Sequence, residues 1–204
     1  MIALTDCENV KFYNTTVQNN TASLNSFMTS SSSNIDFDRM SIYDNHGGEV
    51  TLSATYSTLV FNNTVFDGNT ASLVSNGFQM VNSNVELRNT LIQNSLSDNS
   101  EVGFFNMMIQ SNLQILDNSV IRNISAQING LILSATESNI TIAKNVSITD
   151  CESKASTPTI SVSNSQNFTI ADDVYFSDHK PSVIRGMQSR VYIKDSEFTN
   201  SVGN

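Results

Sequence analysis

Apolar residues recur along this chain in short alternating runs, and the runs themselves repeat. A tetrad of Asn, apolar, any residue, apolar stands at Asn9-Val10-Lys11-Phe12, Asn34-Ile35-Asp36-Phe37, Asn84-Val85-Glu86-Leu87, Asn112-Leu113-Gln114-Ile115, Asn139-Ile140-Thr141-Ile142 and Asn167-Phe168-Thr169-Ile170. Thr58-Leu59-Val60-Phe61 and Arg190-Val191-Tyr192-Ile193 keep the pattern with a different first residue. Successive anchors are 25, 24, 26, 28, 27, 28 and 23 residues apart. All sixteen flanking positions are apolar, and six of the eight residues between them are polar or charged, Val60 and Tyr192 being the exceptions. Such alternation puts one face inward and one outward, the mark of a strand.

A second element follows five or six residues later, centred on Val17, Ile42, Phe66, Ile92, Ile121, Ile148, Phe176 and Phe198. Two residues beyond each stands Asn19, Asp44, Gly68, Asn94, Asn123, Asp150, Asp178 or Asn200. Asn and Asp suit tight corners, because their side chains bond nearby backbone groups and tolerate the left-handed region. A third apolar stretch precedes the next anchor, as at Val50-Thr51-Leu52, Gly77-Phe78-Gln79-Met80, Gly103-Phe104-Phe105, Leu131-Ile132-Leu133, Ile160-Ser161-Val162 and Val183-Ile184.

Strands this short bury no apolar face alone, but stacked at ~4.8 Å they pair in parallel and share one core. The pattern therefore predicts an all-β fold, a right-handed parallel β-helix (β-solenoid) with three short strands per coil. About eight coils of 23–28 residues make a rod of roughly 35 to 40 Å. Differences in coil length are expected in the turn between the second and third strands. A leucine-rich repeat has an overlapping period. It fits less well, since Ile, Val and Phe share the core positions and no 3.6-residue periodicity is present.

Composition sharpens this picture. The 204 residues include 27 Asn, 31 Ser and 18 Thr, with 2 Pro and no Trp, as a chain with many side-chain-satisfied turns requires. Residues 1–204 are read as a single β-helix domain, a piece of a longer chain. A net charge of −9 with ten scattered Lys and Arg offers no basic stripe for nucleic acid. No apolar run approaches the ~20 residues that span a bilayer, so direct membrane insertion is not expected.

The runs Phe12-Tyr13-Asn14-Thr15-Thr16-Val17-Gln18-Asn19-Asn20-Thr21-Ala22 and Phe61-Asn62-Asn63-Thr64-Val65-Phe66-Asp67-Gly68-Asn69-Thr70-Ala71 resemble repeats of pectin-lyase-like right-handed β-helix proteins. They are similar in particular to large surface proteins of ciliates and other protists. More loosely they resemble bacterial polymorphic outer membrane proteins and autotransporter passenger domains. The resemblance covers nearly the whole chain and implies the fold; that architecture hosts lyases, hydrolases, adhesins and inert spacers alike.

Candidate chemistry is sparse. Asp172-Asp173 is similar to the aspartate pair of polygalacturonase-like hydrolases, but the Asn-Thr-Asp and Gly-His-Gly motifs are missing and Arg190-Val191-Tyr192-Ile193-Lys194 matches Arg-Ile-Lys poorly. A solvated corner is the simpler reading of that pair. No coil combines basic residues with acidic calcium ligands, as a lyase needs. His46, beside Gly47-Gly48, and His179, before Lys180-Pro181, lack nucleophile partners and read as exposed loop residues. No catalytic, cofactor or metal residue is expected.

Seven sequons occur, at Asn14, Asn19, Asn62, Asn123, Asn139, Asn145 and Asn167. Those at Asn14, Asn62 and Asn145 lie in the turn after the anchor and are the better glycan acceptors; the other four occupy recurring stacked positions. Cys7 and Cys151 fall in the first and sixth coils, beyond bridging range, and are expected to be free thiols. The expected function is a non-catalytic structural or recognition rod within a larger cell-surface or filamentous assembly. A uronate lyase or glycoside hydrolase and a subunit of an intracellular complex are the alternatives. The expected partners are proteins, including copies stacked head-to-tail, and glycans.

Overall fold

A computed structural model of the chain describes residues 2–22, 26–47, 52–71, 77–97, 104–126, 132–153, 157–180 and 182–201. Every regular element among them is a β-strand, so the leucine-rich alternative, with its helical turns, does not apply. The anchor tetrads form one sheet of Val10–Tyr13, Asn34–Asp38, Thr58–Asn62, Asn84–Arg88, Asn112–Leu116, Asn139–Ala143, Phe168–Ala171 and Val191–Ile193, each parallel to the next. Their register is the one the tetrads imply. Val10 faces Ile35, Leu59 lies between Ile35 and Val85, and Phe168 between Ile140 and Val191.

The second sheet stacks Val17, Ile42, Phe66, Ile92, Ile121, Ile148, Phe176 and Phe198 in one column. The third sheet runs from Ile2–Thr5 and Met28–Ser31 through Leu52–Thr55, Phe78–Val81, Phe105–Met108, Leu133–Thr136 and Ile160–Ser163 to Ile184–Met187. Each sheet carries eight strands on its main path. The coil also has a feature beyond the three expected strands. Past the third corner the chain keeps pairing for two residues, as at Thr21–Ala22, His46–Gly47, Thr70–Ala71 and Glu152–Ser153.

The inward positions of all three sheets meet in one apolar core. Its densest part is aromatic: Phe37 stacks on Phe61 with ring centroids 4.3 Å apart, and Phe61, Phe66, Phe78, Phe104 and Phe105 interlock edge to face. Burying each such ring contributes roughly 1.5–3 kcal/mol. Ser30 is the exception to a satisfied interior, a buried hydroxyl without a hydrogen-bond partner among the described residues.

Each corner is made by a residue in the left-handed region followed by one pointing inward. At the third corner the left-handed residues are Asn19, Asp44, Gly68, Asn94, Asn123, Asp150, Asp178 and Asn200, all with φ between 50° and 63°, as their chemistry suggested. Gly68 stands where a Cβ would lie 2.5 Å from the Asp44 Oδ1 atom. At the second corner the series is Asn14, Arg39, Asn63, Asn89, Asn118, Asn145, Asp173 and Asp195, and at the first Asp6, Ser32, Tyr56, Asn82, Gln110, Glu137, Asn164 and Gln188.

The inward residues of the first corner form a serine ladder. The amides of Ser33, Ser57, Ser83, Ser111, Ser138 and Ser165 each donate to the hydroxyl oxygen of the serine one coil on, at 3.1–3.4 Å, ending at Ser189. The hydroxyls of Ser33, Ser57, Ser83, Ser138 and Ser189 in turn donate to the carbonyl two residues back, at 2.8–2.9 Å. Cys7 occupies the first rung, its amide donating to the Ser33 hydroxyl. An asparagine ladder does the same at the third corner, where the Asn20 amide donates to Asn45 Oδ1 and the Asn45 amide to Asn69 Oδ1. Both ladders satisfy backbone groups that would otherwise be stranded where a strand ends.

Coil lengths vary in two places. The stretch after the third corner is longer from Asn94 to Phe105 than from Asp178 to Ile184, as expected; the loops of that stretch at 21–26, 45–48, 95–101 and 151–158 lie partly outside the described residues. The other place is new: Ile109-Gln110, Asp117-Asn118, Lys144-Asn145 and Asp172-Asp173 put two successive left-handed residues at one corner, adding a residue without breaking the register.

Candidate functional site

Along the first corner the outer surface opens into a cleft of about 560 Å³. Its floor is built by Asn84, Asn112 and Asn139, the opening residues of three successive anchor strands, which pair side by side. Its rim is formed by Gln110, Glu137 and Asn164, the left-handed residues that precede ladder serines Ser111, Ser138 and Ser165. Two local insertions shape it. The double corner at Ile109-Gln110 pushes Ile109 into solvent, 48% exposed. In the seventh coil Gln166 is inserted between the ladder serine and the anchor.

The side-chain amides of this cleft are uncommitted. Among the described residues, those of Asn84, Gln110, Asn112, Asn139, Asn164 and Gln166 have no hydrogen-bond partner, whereas several outward amides at the other corners, though not those of Asn14, Asn19 and Asn200, are tied up. Asn63 donates to Asp38, Asn94 to Asp67, Asn118 to Asn89, Asn123 to Asn94 and Asn145 to Asn118. Glu137 is the one ionisable residue of the cleft lining. Arg88, at the far end of the strand that Asn84 begins, is engaged by Glu86 and Asp117, with Lys144 Nζ 3.7 Å from Asp117. These carboxylates hold the guanidinium pKa above its ordinary value. Tyr56 occupies the same corner column two coils before Gln110 and is 65% exposed.

A second, shallower cleft of about 420 Å³ lies on the second corner, lined by Asn145, Asp173, Val174, Tyr175, Asp195, Ser196 and Glu197. Asp172 and Asp173 are exposed residues of a double left-handed corner. The solvated-corner reading of that pair agrees with this placement. Asp195 follows Asp173 in the corner column, the Asp173 amide donating to its carbonyl at 2.9 Å, a proximity that no local motif announced.

One expectation is overturned. His46 is exposed, its Nδ1 2.7 Å from the Thr70 hydroxyl, but His179 is fully buried. It occupies the inward position of the third corner, continuing the column that begins Asn20, Asn45, Asn69. Asn69 Nδ2 donates to the carbonyl of Ile42, and His179 Nε2 donates to that of Ile148, the equivalent core residue, at 3.0 Å. The imidazole thus replaces a carboxamide. With Nε2 carrying the proton, the Thr159 hydroxyl, 3.1 Å from Nδ1, is placed to donate to it, a pairing that suits the neutral ring.

Burial lowers the His179 pKa from 6.5, with the Ile148 carbonyl, Asp150 and Asp178 opposing the shift. The folded state resists a proton that the unfolded chain accepts. The stabilisation from this ring is full above pH 6.5 and is lost as pH falls through the lowered folded value. Urea melts from pH 7.5 to 5 should show stability falling below about pH 6.5. A His179→Asn variant should show a smaller fall, and an equal fall in both would refute the role of this ring.

Cys7 and Cys151 are both free thiols, as expected. Cys151 occupies the rung before His179, and burial pushes its thiol up to about 12, with a bond to the Ile124 backbone opposing. It is a structural residue rather than a nucleophile. Of the glycan-acceptor candidates, Asn14 and Asn145 sit at exposed left-handed corners, whereas Asn62 is the last residue of its strand and half-buried. Among the described residues no group of three or more His, Cys, Asp or Glu is arranged to hold a metal. No helix among them is long and apolar enough to cross a membrane.

The family model described as a right-handed β-helix region matches residues 1–147, which span the first six anchors. No curated protein matches the chain, and neither does any solved structure.

Proposed function

The chain belongs to the right-handed β-helix family, and from that premise we propose a non-catalytic rod that presents its corners and sheet faces for recognition or cohesion. It works as part of a larger cell-surface or filamentous assembly. The observation that carries this reading is how the polar groups are used. Inside, they repeat the same ladders coil after coil. Outside, the strongest charge cluster, Arg88 with Glu86, Asp117 and Lys144, is self-neutralised.

Cohesion would come from copies stacked head-to-tail, a heterologous contact that extends the parallel ladders and permits filaments. The competing reading, cleavage of an acidic polysaccharide, draws on the carboxylates of Asp173, Asp195 and Glu197 in the second-corner cleft. A chain of net charge −9 would repel that substrate.

Incubation with polygalacturonate or pectin, with and without calcium, should yield no new unsaturated or reducing ends. Release of such ends, abolished by Asp172→Asn or Asp173→Asn, would overturn the non-catalytic reading.

A further inference from the structure

We infer that His179 is an acid-sensitive latch: on taking up a proton its ring leaves the core, the third corner of the seventh coil opens, and the Cys151 thiol beneath it meets solvent. This goes beyond the contribution of the ring to stability and does not depend on the recognition or cohesion reading. The inward column of the third corner runs Asn69, Ser95, Ile124, Cys151, His179 and Ser201, so the imidazole covers the fully buried Cys151. The ring is held by the Ile148 carbonyl and the Thr159 hydroxyl, and its centroid lies 5.8 Å from that of Phe176. The stretch that carries it is lightly tied. Past the corner of the sixth coil the chain pairs for two residues, Glu152–Ser153 on Ser125–Ala126, whereas past His179 a single bridge, Lys180 with Glu152, is present among the described residues.

The surroundings give the ring two positions, one for each charge state. Inside, its neighbours are Phe176, Ile148 and Cys151, and no carboxylate bonds to it among the described residues, so the charged form is disfavoured there. Outside, Asp178, the left-handed residue directly before His179, and Asp150, at the same corner one coil earlier, are both exposed. Glu152 and Lys180 are the other charged groups on the stretches packed against the ring, and both face outward; Thr159 on the third sheet and Ser201 in the eighth coil bring none. A protonated ring turned outward therefore gains water and two carboxylates, whereas a neutral ring only loses its two bonds. An opened ring of ordinary pKa, about 6.5, accepts a proton that the buried ring resists, so the open population rises up to about thirtyfold between pH 7.5 and 5.

The thiol itself reports the opening. Cys7→Ser installs the residue that fills the following rungs of its ladder and leaves Cys151 as the only cysteine. In that chain the rate of reaction with 4,4′-dithiodipyridine is measured at pH 7.5 and at pH 5. Dividing by the rate of the urea-unfolded chain at the same pH removes the titration of the thiol. The normalised rate should rise about tenfold or more at pH 5 while the circular dichroism spectrum stays native. Adding His179→Asn should abolish the rise, because the carboxamide that fills this position in the second and third coils takes no proton. Asp150→Asn/Asp178→Asn places at both corners the residue used there by other coils; it should fold normally and reduce the rise about twofold or more. A normalised rate indifferent to pH, a rise that appears only as the native spectrum is lost, an equal rise with His179→Asn, or one undiminished by the corner substitutions would overturn the latch.

Discussion

Ile142→Asp should abolish cooperative folding or lower the melting temperature by 10 °C or more, read by circular dichroism. Ile142 is 1% exposed and lies between Ile115 and Ile170 in a continuous apolar column. No described lysine or arginine projects into that core, which is apolar on every side. An isolated carboxylate there costs several kcal/mol even after it takes up a proton, against a total stability of about 5–15 kcal/mol for a domain. Each kcal/mol moves the melting temperature by about 2–4 °C at this chain length. Thr141→Asp, one residue away on the outward face, should change it by no more than ~2 °C, as surface changes usually do. An Ile142→Asp protein that melts like the parent would show the column to be misplaced.

Asn69→Leu should cost about 3–5 kcal/mol despite conserving volume and raising apolarity. Asn69 is fully buried; its Oδ1 accepts from the Asn45 amide at 3.2 Å and from Asn45 Nδ2 at 3.0 Å, and its Nδ2 donates to the Ile42 carbonyl at 2.9 Å. Leucine leaves the Asn45 amide and a lone pair of the Ile42 carbonyl unmet in the interior, each costing roughly 1–3 kcal/mol, while Asn45 Nδ2 keeps the Val17 and Tyr43 carbonyls. Asn20→Ala, at the exposed beginning of the same ladder, should cost less than ~1 kcal/mol, because water replaces the lost partner. Denaturant midpoints at a constant slope measure both. Equal losses in the two variants would show that the ladder does not act through burial.

The anchor register was readable residue by residue because a period-two apolar pattern leaves a parallel stack no freedom to slip: one step would turn Ile35 or Leu113 outward. The third-corner residues were readable because few side chains occupy the left-handed region cheaply. The serine ladder was also present in the sequence, as a Ser directly before the anchors at Asn34, Thr58, Asn84, Asn112 and Asn139, but a small polar residue beside a turn reads as solvent-facing. His179 was misplaced for the same reason. Considered alone it sits in a loop; aligned by column, it follows Asn69, Ser95, Ile124 and Cys151 in an inward position. The cleft was least readable. It depends on where Ile109-Gln110 and Gln166 add a residue, and on which outward amides lack a neighbour, and neither follows from periodicity.

Nearly every ladder bond joins residues 24 to 29 positions apart. The chain thus closes loops of a single size, whatever its total length. Loop-closure entropy grows with the separation of the contacting residues, and folding slows as that separation rises. A polypeptide built this way meets the same entropic step at each coil. Once two coils have docked, the next needs only about 25 further residues of chain to complete itself, so length can be gained or lost in whole coils with no slower step than the first.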